Sequence, residues 1–268
     1  DMESIDLNDP QTLSMISSGH TSGVFQLESS GMQSFMKDLK PDCFEDIVAG
    51  IALYRPGPMQ FIPTYIKGKN DKSGIKYLSP ELEPILKSTY GCIIYQEQVM
   101  QIVQQLGGYS MGRADEVRRA MSKKKFSIME KERSNFIYGN EKENVPGCIS
   151  GGITEKTAAE IYDSLISFAN YGFNKSHSVS YAVLSMQTAW LKTHYPVEFE
   201  AALFTSVIDF PPKLAVYMAD AAAMGIKILP PDINEGGVGF TPLITTDIKS
   251  DRPYIGGIRY ALTAIKGI

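Results

Sequence analysis

One short run, Gly107 to Lys125, gathers Arg118, Arg119, Lys123, Lys124 and Lys125. Clustered cations of this kind can hold phosphate. Arginine is best suited to it, because its planar fork meets two phosphate oxygens at once and never loses its charge. Gly107 and Gly108 break the chain ahead of this run, and Ser110 is placed to cap a new helix. Met111, Ala114, Val117 and Met121 recur at steps of three and four, which predicts one buried stripe. At about 100° per residue, Arg118 and Lys125 flank that stripe, while Arg119 and Lys123 share the adjoining polar face. The same residues also fit a plain solvated face, with Asp115 pairing Arg119 at i,i+4.

A second stretch with chemical potential is Ala169 to Ser178, which ends one helix and begins the next. A helix N-terminus presents free N–H groups and favours an anion. Here it also carries Asn174, Lys175, Ser176, His177 and Ser178, while Tyr171 and Phe173 offer flat surfaces for a base or sugar. A helix junction with packed aromatics and a serine cap accounts for the same residues. A third stretch is the turn Tyr54-Arg55-Pro56-Gly57-Pro58. Two prolines around a glycine leave few conformations, so Arg55 is displayed on a stiff support. That suits an anion clamp and equally an ordinary tight turn.

Other reactive side chains point to less. Asp42, Glu45 and Asp46 could suggest a metal site, but acids in a first helical turn are favoured by the helix dipole alone. Glu97 reads the same way, with no second carboxylate nearby in sequence to divide acid and base roles with it. His194 falls in a last helical turn and His20 in a glycine-serine loop with no evident partner. No metal ligands are assigned. Cys43, Cys92 and Cys148 show no metal-like spacing and read as reduced thiols. No phosphate-binding loop or dinucleotide fingerprint appears, and Gly236-Gly237-Val238-Gly239 has the wrong spacing.

The elements that must carry these groups are mostly helical. Apolar periodicity predicts helices through Met32–Leu39, Phe44–Ile51, Phe61–Lys69, Val99–Leu106, Phe126–Glu143, Thr154–Phe168, Tyr181–Leu191, Val197–Val207 and Lys213–Met224. Asp1 to Gln26 reads as polar loop with a short extended step at Val24-Phe25. Ile226–Leu229 predicts a strand, and Phe240, Ile244, Tyr254, Ile255, Ile258, Tyr260 and Leu262 suggest extended runs between glycine turns. The fold class expected is mainly α, with a small β appendage near the C-terminus. Residues 1–232 form the helical body and 233–268 the β-rich extension. The chain has 268 residues, 43% of them hydrophobic, and a net charge of −4. That balance argues against a general polyanion binder and leaves room for a local anion site. Neither a signal peptide nor a membrane-length apolar run is visible, so a cytoplasmic location and no membrane partner are expected. The chain opens on Asp1 and is expected to be a piece of a longer protein.

Six motifs in one order carry a resemblance: GVFQLES from Gly23, DCFEDIVAGIALYRPGP from Asp42, YQEQVMQI from Tyr95, RRAMSKKK from Arg118, YGFNKSHSVSYA from Tyr171 and LPPDIN from Leu229. Together they resemble the fingers domain of the bacterial replicative DNA polymerase III alpha subunit, of the C family of DNA polymerases. The resemblance covers nearly the whole chain.

It implies a multi-helical fingers domain that takes part in template-directed DNA synthesis from deoxynucleoside triphosphates. Arg118 and Arg119 would grip the β- and γ-phosphates. Lys123, Lys124 and Lys125 would add positive field or touch nucleic-acid phosphate. Asn174, Lys175, His177 and Ser178 would lie beside the nucleotide, with Tyr171 and Phe173 in the same segment and Tyr54 and Arg55 near the same cleft. Mg2+ would be bound by palm-domain aspartates, whose acidic, phenylalanine-rich motif does not occur here. The partners implied are template-primer DNA, deoxynucleoside triphosphates and, through other parts of the full-length protein, the sliding clamp and other replisome subunits. This chain would supply positioning only and be inactive alone. A non-catalytic nucleic-acid-binding module, using the basic helix on backbone phosphate, is the alternative.

Overall fold

The computed structural model describes residues 1–123, 125–169, 171–243 and 255–265. Among them are twelve α-helices and one three-stranded sheet, the mainly helical fold with a small β element that the periodicity predicts. The chain forms two compact units, residues 44–182 and residues 1–43 with 183–268. Lys124, Ile244 and Tyr254 lie outside the described residues.

The 44–182 unit begins with α3 (Phe44–Leu53), which is buried from Asp46 to Leu53. After a 3-10 turn at Pro58–Phe61 come α4 (Ile62–Asn70) and the short α5 (Glu83–Leu86). Then follow α6 (Gln96–Gly107), α7 (Met111–Ser122), α8 (Phe126–Tyr138), α9 (Glu155–Ala169) and the first part of α10 (Lys175–His194). Helices α6 to α9 pack on one another. Val99, Ile102, Val103 and Leu106 face inward from α6, as the apolar spacing requires. Ser110 caps α7 by accepting from the Arg113 N–H at 3.3 Å. The buried side of α7 is Ala114, Val117, Ala120 and Met121. Met111 is 55% exposed, because it is the first helical residue and burial starts one turn later. Between α7 and α8, the Arg113 guanidinium bonds Glu132 at 2.9 Å and also reaches Glu143. Burial together with the Glu132 carboxylate keeps the Tyr109 phenol protonated far above its ordinary range, and it donates to Glu132 at 3.0 Å.

The other unit contains α1 (Pro10–Ser18), α2 (Ser30–Leu39), the end of α10, α11 (Pro196–Ser206), α12 (Pro211–Ala223), and strands β1 (Ile226–Leu229), β2 (Thr241–Leu243) and β3 (Gly256–Arg259). Helix α1 lies where the polar composition predicts loop. Asp9 accepts from the Thr12 N–H at 2.9 Å, Pro10 occupies the first turn, and Gly19 closes the helix in the left-handed region at φ 76°. Val24-Phe25 is not extended: the Val24 and Leu27 N–H groups close successive turns on Thr21 and Val24. The sheet order is β1-β3-β2, with β1 parallel and β2 antiparallel to β3. Pro242 fits β2 because that strand lies at the sheet edge, where a missing N–H costs least. Val197, Ala201, Phe204, Leu214, Tyr217, Ile226, Phe240 and Ile258 form the core between this sheet and α11 and α12. Its first strand is drawn from residues preceding 233.

Candidate phosphate-binding site

The residues that sequence spacing marks as chemical lie in the 44–182 unit, where the Tyr54–Pro58 turn, Arg118 of α7 and the Tyr171–Ser178 segment meet around the start of α6. Extended backbone from Ile94 and Tyr95 runs beside Phe173 as a single parallel bridge. The Phe173 N–H donates to the Ile94 carbonyl at 3.2 Å, and the Gln96 N–H donates to the Phe173 carbonyl at 2.9 Å. This bridge brings the N-terminus of α6 against the N-terminus of α10. Arg118 of α7 joins them through Gln96, its Nη1 donating to Gln96 Oε1 at 2.9 Å. Gln96 Nε2 in turn donates to the Gly172 carbonyl at 3.0 Å.

Asp115 holds both arginines of α7. Its Oδ1 accepts from Arg118 Nε at 2.9 Å and Nη2 at 2.6 Å, and its Oδ2 lies 2.7 Å from Arg119 Nε. Hydrogen bonding to Arg118, with the charge of both guanidinium groups, holds the Asp115 carboxyl below the usual carboxylate range. The pair expected between Asp115 and Arg119 is therefore present and is shared with Arg118. Three of Arg118's five N–H donors are used. The Arg119 side chain is 65% exposed and spends only Nε in this way.

The Tyr54–Pro58 turn closes on the same segment. Arg55 Nε donates to the Ala52 carbonyl at 3.0 Å and Nη2 to the Tyr171 carbonyl at 3.1 Å, and the guanidinium lies 4.0 Å from the Phe173 ring centroid. Desolvation lowers the Arg55 pKa from its ordinary value. Phe173 is consequently not an open platform, since Arg55 covers one face and His177 approaches edge-on at 5.3 Å. Tyr171 is 38% exposed, and its ring packs where a side chain on Gly57 would stand. Tyr54, next to Arg55 in the turn, is half-buried.

The α10 terminus differs from the open anion site that its sequence suggests. Glu97, which reads as a mere first-turn acid, accepts from the Lys175 N–H at 3.1 Å and from Asn174 Nδ2 at 3.0 Å. Asn174 Oδ1 caps the His177 N–H at 2.8 Å. Ser178 is fully buried and donates to the Val48 carbonyl at 2.6 Å, so its hydroxyl packs α10 on α3 and does not reach solvent. Lys175 keeps its ammonium 5.4 Å from the Tyr95 ring, and exposed His177 stacks at 4.3 Å on Tyr181. Among the described residues, neither Arg55 nor the Lys175 ammonium is paired with a carboxylate.

Lys123 and Lys125 stand apart from Arg118. Helix α7 ends at Ser122, Lys123 is its C-cap and Lys125 precedes α8, so a helical wheel no longer applies to Lys125. Together with Arg119, Glu116 and Ile128 they line a groove of about 300 Å³ between α7 and α8. Lys124 is outside the described residues. A larger cavity of about 440 Å³, lined mainly by Phe61, Leu78, Leu82, Leu86, Ile93 and Phe168, borders none of the expected site residues.

The carboxylates at this site are committed, Glu97 to the α10 terminus and Asp115 to two arginines. Asp46 of α3 bonds Lys69 Nζ at 2.6 Å and the Tyr65 phenol at 3.0 Å. The side chains left at this site with spare hydrogen-bond donors, Arg118, Arg119 and Lys175, are cations, and such groups can hold an anion. Gln96 and Glu97 tie these segments together; the sequence reading passes over Gln96 and takes Glu97 for a first-turn acid, and their only signal is a place at a helix start just after an extended run.

A family model for the bacterial DNA polymerase III alpha subunit finger domain matches residues 1–144. The chain is 45% identical over 268 residues to the DNA polymerase III subunit alpha of Bacillus subtilis (strain 168), covering 100% of this chain and 22% of that protein. The protein of that name from Thermus aquaticus is 47% identical over 245 residues, 90% of this chain and 19% of its own length. In Escherichia coli (strain K12) the figures are 45% over 275 residues, 100% and 22%. The chain thus spans about a fifth of the length of these relatives. With its six ordered motifs inside that match and alignment, the chain belongs to the family of the bacterial DNA polymerase III alpha subunit finger domain.

Proposed function

We propose that this chain holds the triphosphate of an incoming deoxynucleotide and contacts template-primer DNA within a larger DNA-directed DNA polymerase. The observation that supports this reading best is the meeting of Arg118, Arg55 and Lys175 around the Tyr171–His177 segment, with two of these charges having no carboxylate partner among the described residues. Arg118 and Arg119 take the β- and γ-phosphates. The two unused N–H donors of Arg118 sit on a guanidinium whose direction is already fixed, so little ordering entropy remains to be lost on binding. Arg119, exposed and bonded through Nε, can turn its outer N–H groups toward the leaving pyrophosphate. His177 and Asn174 border the nucleotide, and Lys123 and Lys125 serve the DNA backbone from the groove that Arg119 also lines.

Phosphoryl transfer depends on positioning and on neutralising charge. Mg2+ supplies much of the latter when bound, and the committed carboxylates here leave that role to aspartates outside this chain, as the family resemblance implies. The 268-residue chain alone should therefore incorporate no nucleotide. Metal-dependent primer extension by the purified chain would overturn that expectation. Clamp and replisome contacts belong on this reading to other parts of the full-length protein.

The deciding experiment is Arg118→Ala in the full-length subunit. The KM for deoxynucleoside triphosphate should rise by about 100-fold, as for loss of a charged bidentate contact, with primer-template affinity changed less than about threefold. Equal losses in both would favour a module that only grips nucleic-acid backbone.

A further inference from the structure

Among the described residues, the Gln96 side chain links Arg118 to the α10 terminus by hydrogen bonds, and its chemistry fits that place closely. Arg118 can only donate and the Gly172 carbonyl can only accept. A group between them must therefore accept on one side and donate on the other. A primary amide does both, and the neighbours fix which way round it stands: Oε1 toward Arg118 at 2.9 Å and Nε2 toward Gly172 at 3.0 Å. A carboxylate would face the Gly172 carbonyl with like polarity, and an aliphatic side chain would bond neither group. The backbone at this point is held separately, by the Gln96 N–H on the Phe173 carbonyl. Changing the side chain therefore leaves the bridge between the segments in place.

We infer that Gln96 is a positioning residue for nucleotide binding, acting through Arg118 without touching the nucleotide. Asp115 fixes one edge of the Arg118 guanidinium from within α7. On its own that contact would let the group swing with the side chain of its own helix. Gln96 adds a second point from a different helix and refers the guanidinium to the Gly172–Lys175 backbone, beside which the nucleotide would lie. Loss of this reference should weaken triphosphate binding while leaving the fold and the DNA contacts intact. The inference rests on the triphosphate reading given above.

The test is a double-substitution cycle in the full-length alpha subunit, with Gln96→Met, Arg118→Ala and both together. The readouts are KM and kcat for single-nucleotide addition, primer-template Kd and thermal midpoint. Gln96→Met should raise the nucleotide KM about tenfold, the size expected for a lost hydrogen bond to a charged group, with kcat and DNA Kd within about twofold. In the Arg118→Ala background the same change should add nothing, because the group it positions is gone. A full additional tenfold loss in that background would overturn the inference, as would a Gln96→Met enzyme with unchanged KM. If Arg118→Ala itself leaves KM unchanged, the triphosphate reading falls first and this inference with it. Should Gln96→Met lower the thermal midpoint, Gln96→Asn repeats the cycle. It keeps the amide but is one methylene too short to span both partners, so the same non-additivity is required of it.

Discussion

Asp115 and Asp46 show how much depends on a single carboxylate. Asp115 is divided between two guanidinium groups at the surface, where water screens the pair and its value lies in orientation. Asp46 is fully buried and neutralises Lys69, itself only 9% exposed, while Tyr65 donates to its other oxygen. Burial, reinforced by the Asp46 charge, keeps the Tyr65 phenol protonated far above its ordinary range. Asp46→Asn would leave the ammonium buried without its counter-charge. The expected loss is about 3–5 kcal/mol in urea unfolding, and an apolar Asp46→Leu/Lys69→Met pair should recover most of it. A loss below ~1 kcal/mol in the single variant would show that the ammonium is solvated.

At the scale of elements, the site depends on turns and helix ends more than on helix bodies. Gly57 has φ 100°, and a Cβ there would stand 2.4 Å from the Tyr171 ring. Gly57→Ala should therefore cost about 1–3 kcal/mol and displace Arg55 from Phe173, visible as a lower thermal midpoint together with a raised nucleotide KM in the full-length enzyme. Gly112, early in α7 with nothing within 4 Å of a built Cβ, is the control. Its replacement by alanine should be neutral or stabilise by ~0.5 kcal/mol. A Gly57→Ala variant as stable as Gly112→Ala would mean that the turn yields freely. Helix ends also explain where wheel arithmetic misplaces Lys125: a period of 3.6 predicts neighbours only while the helix continues, and α7 stops at Ser122.

For the molecule as a whole, stability should carry a pH signature from the unit of residues 1–43 and 183–268. There Lys192, 1% exposed, donates to Glu200 at 2.8 Å, Asp220 at 2.7 Å and the Ser22 carbonyl at 2.9 Å. One ammonium thus serves two carboxylates. Glu200 is the more buried of them, its Oε2 has no hydrogen-bond partner among the described residues, and desolvation raises its pKa above 4.5 in spite of Lys192. A carboxyl whose folded pKa is raised contributes most below its unfolded value, and that contribution is lost as pH rises through the folded value. Glu200→Gln should therefore gain relative to the parent as pH climbs from about 4.5 toward neutrality, with the difference fading again on acidification. Urea midpoints at pH 4.5, 6 and 7.5 would test this. A difference independent of pH would show that folding leaves the Glu200 carboxyl unshifted.

Read without coordinates, the chain determines its helices wherever a continuous apolar stripe exists, because burial of one face is what stabilises a helix and the spacing records it. Met32, Phe35, Met36 and Leu39 on α2 are all buried as that rule demands, and the strand at Ile226 is equally legible. Where the stripe is thin, only caps remain: α1 buries just Thr12, Leu13 and Ile16 and is announced by Asp9-Pro10 and Gly19 alone. The residue types of the site, arginines on α7, Arg55 on a stiff turn and Lys175 at a helix start, are also written in the linear order. Their meeting is not, since Arg118, Gln96 and Gly172 are joined by contacts 22 and 76 residues apart along the chain. Nor can one dimension show which polar groups are already spent: Ser178 on Val48, Glu97 on Lys175, Asp115 on two arginines. A hydrogen bond depends on the distance and direction between two atoms, and for distant residues only packing of the whole unit sets these.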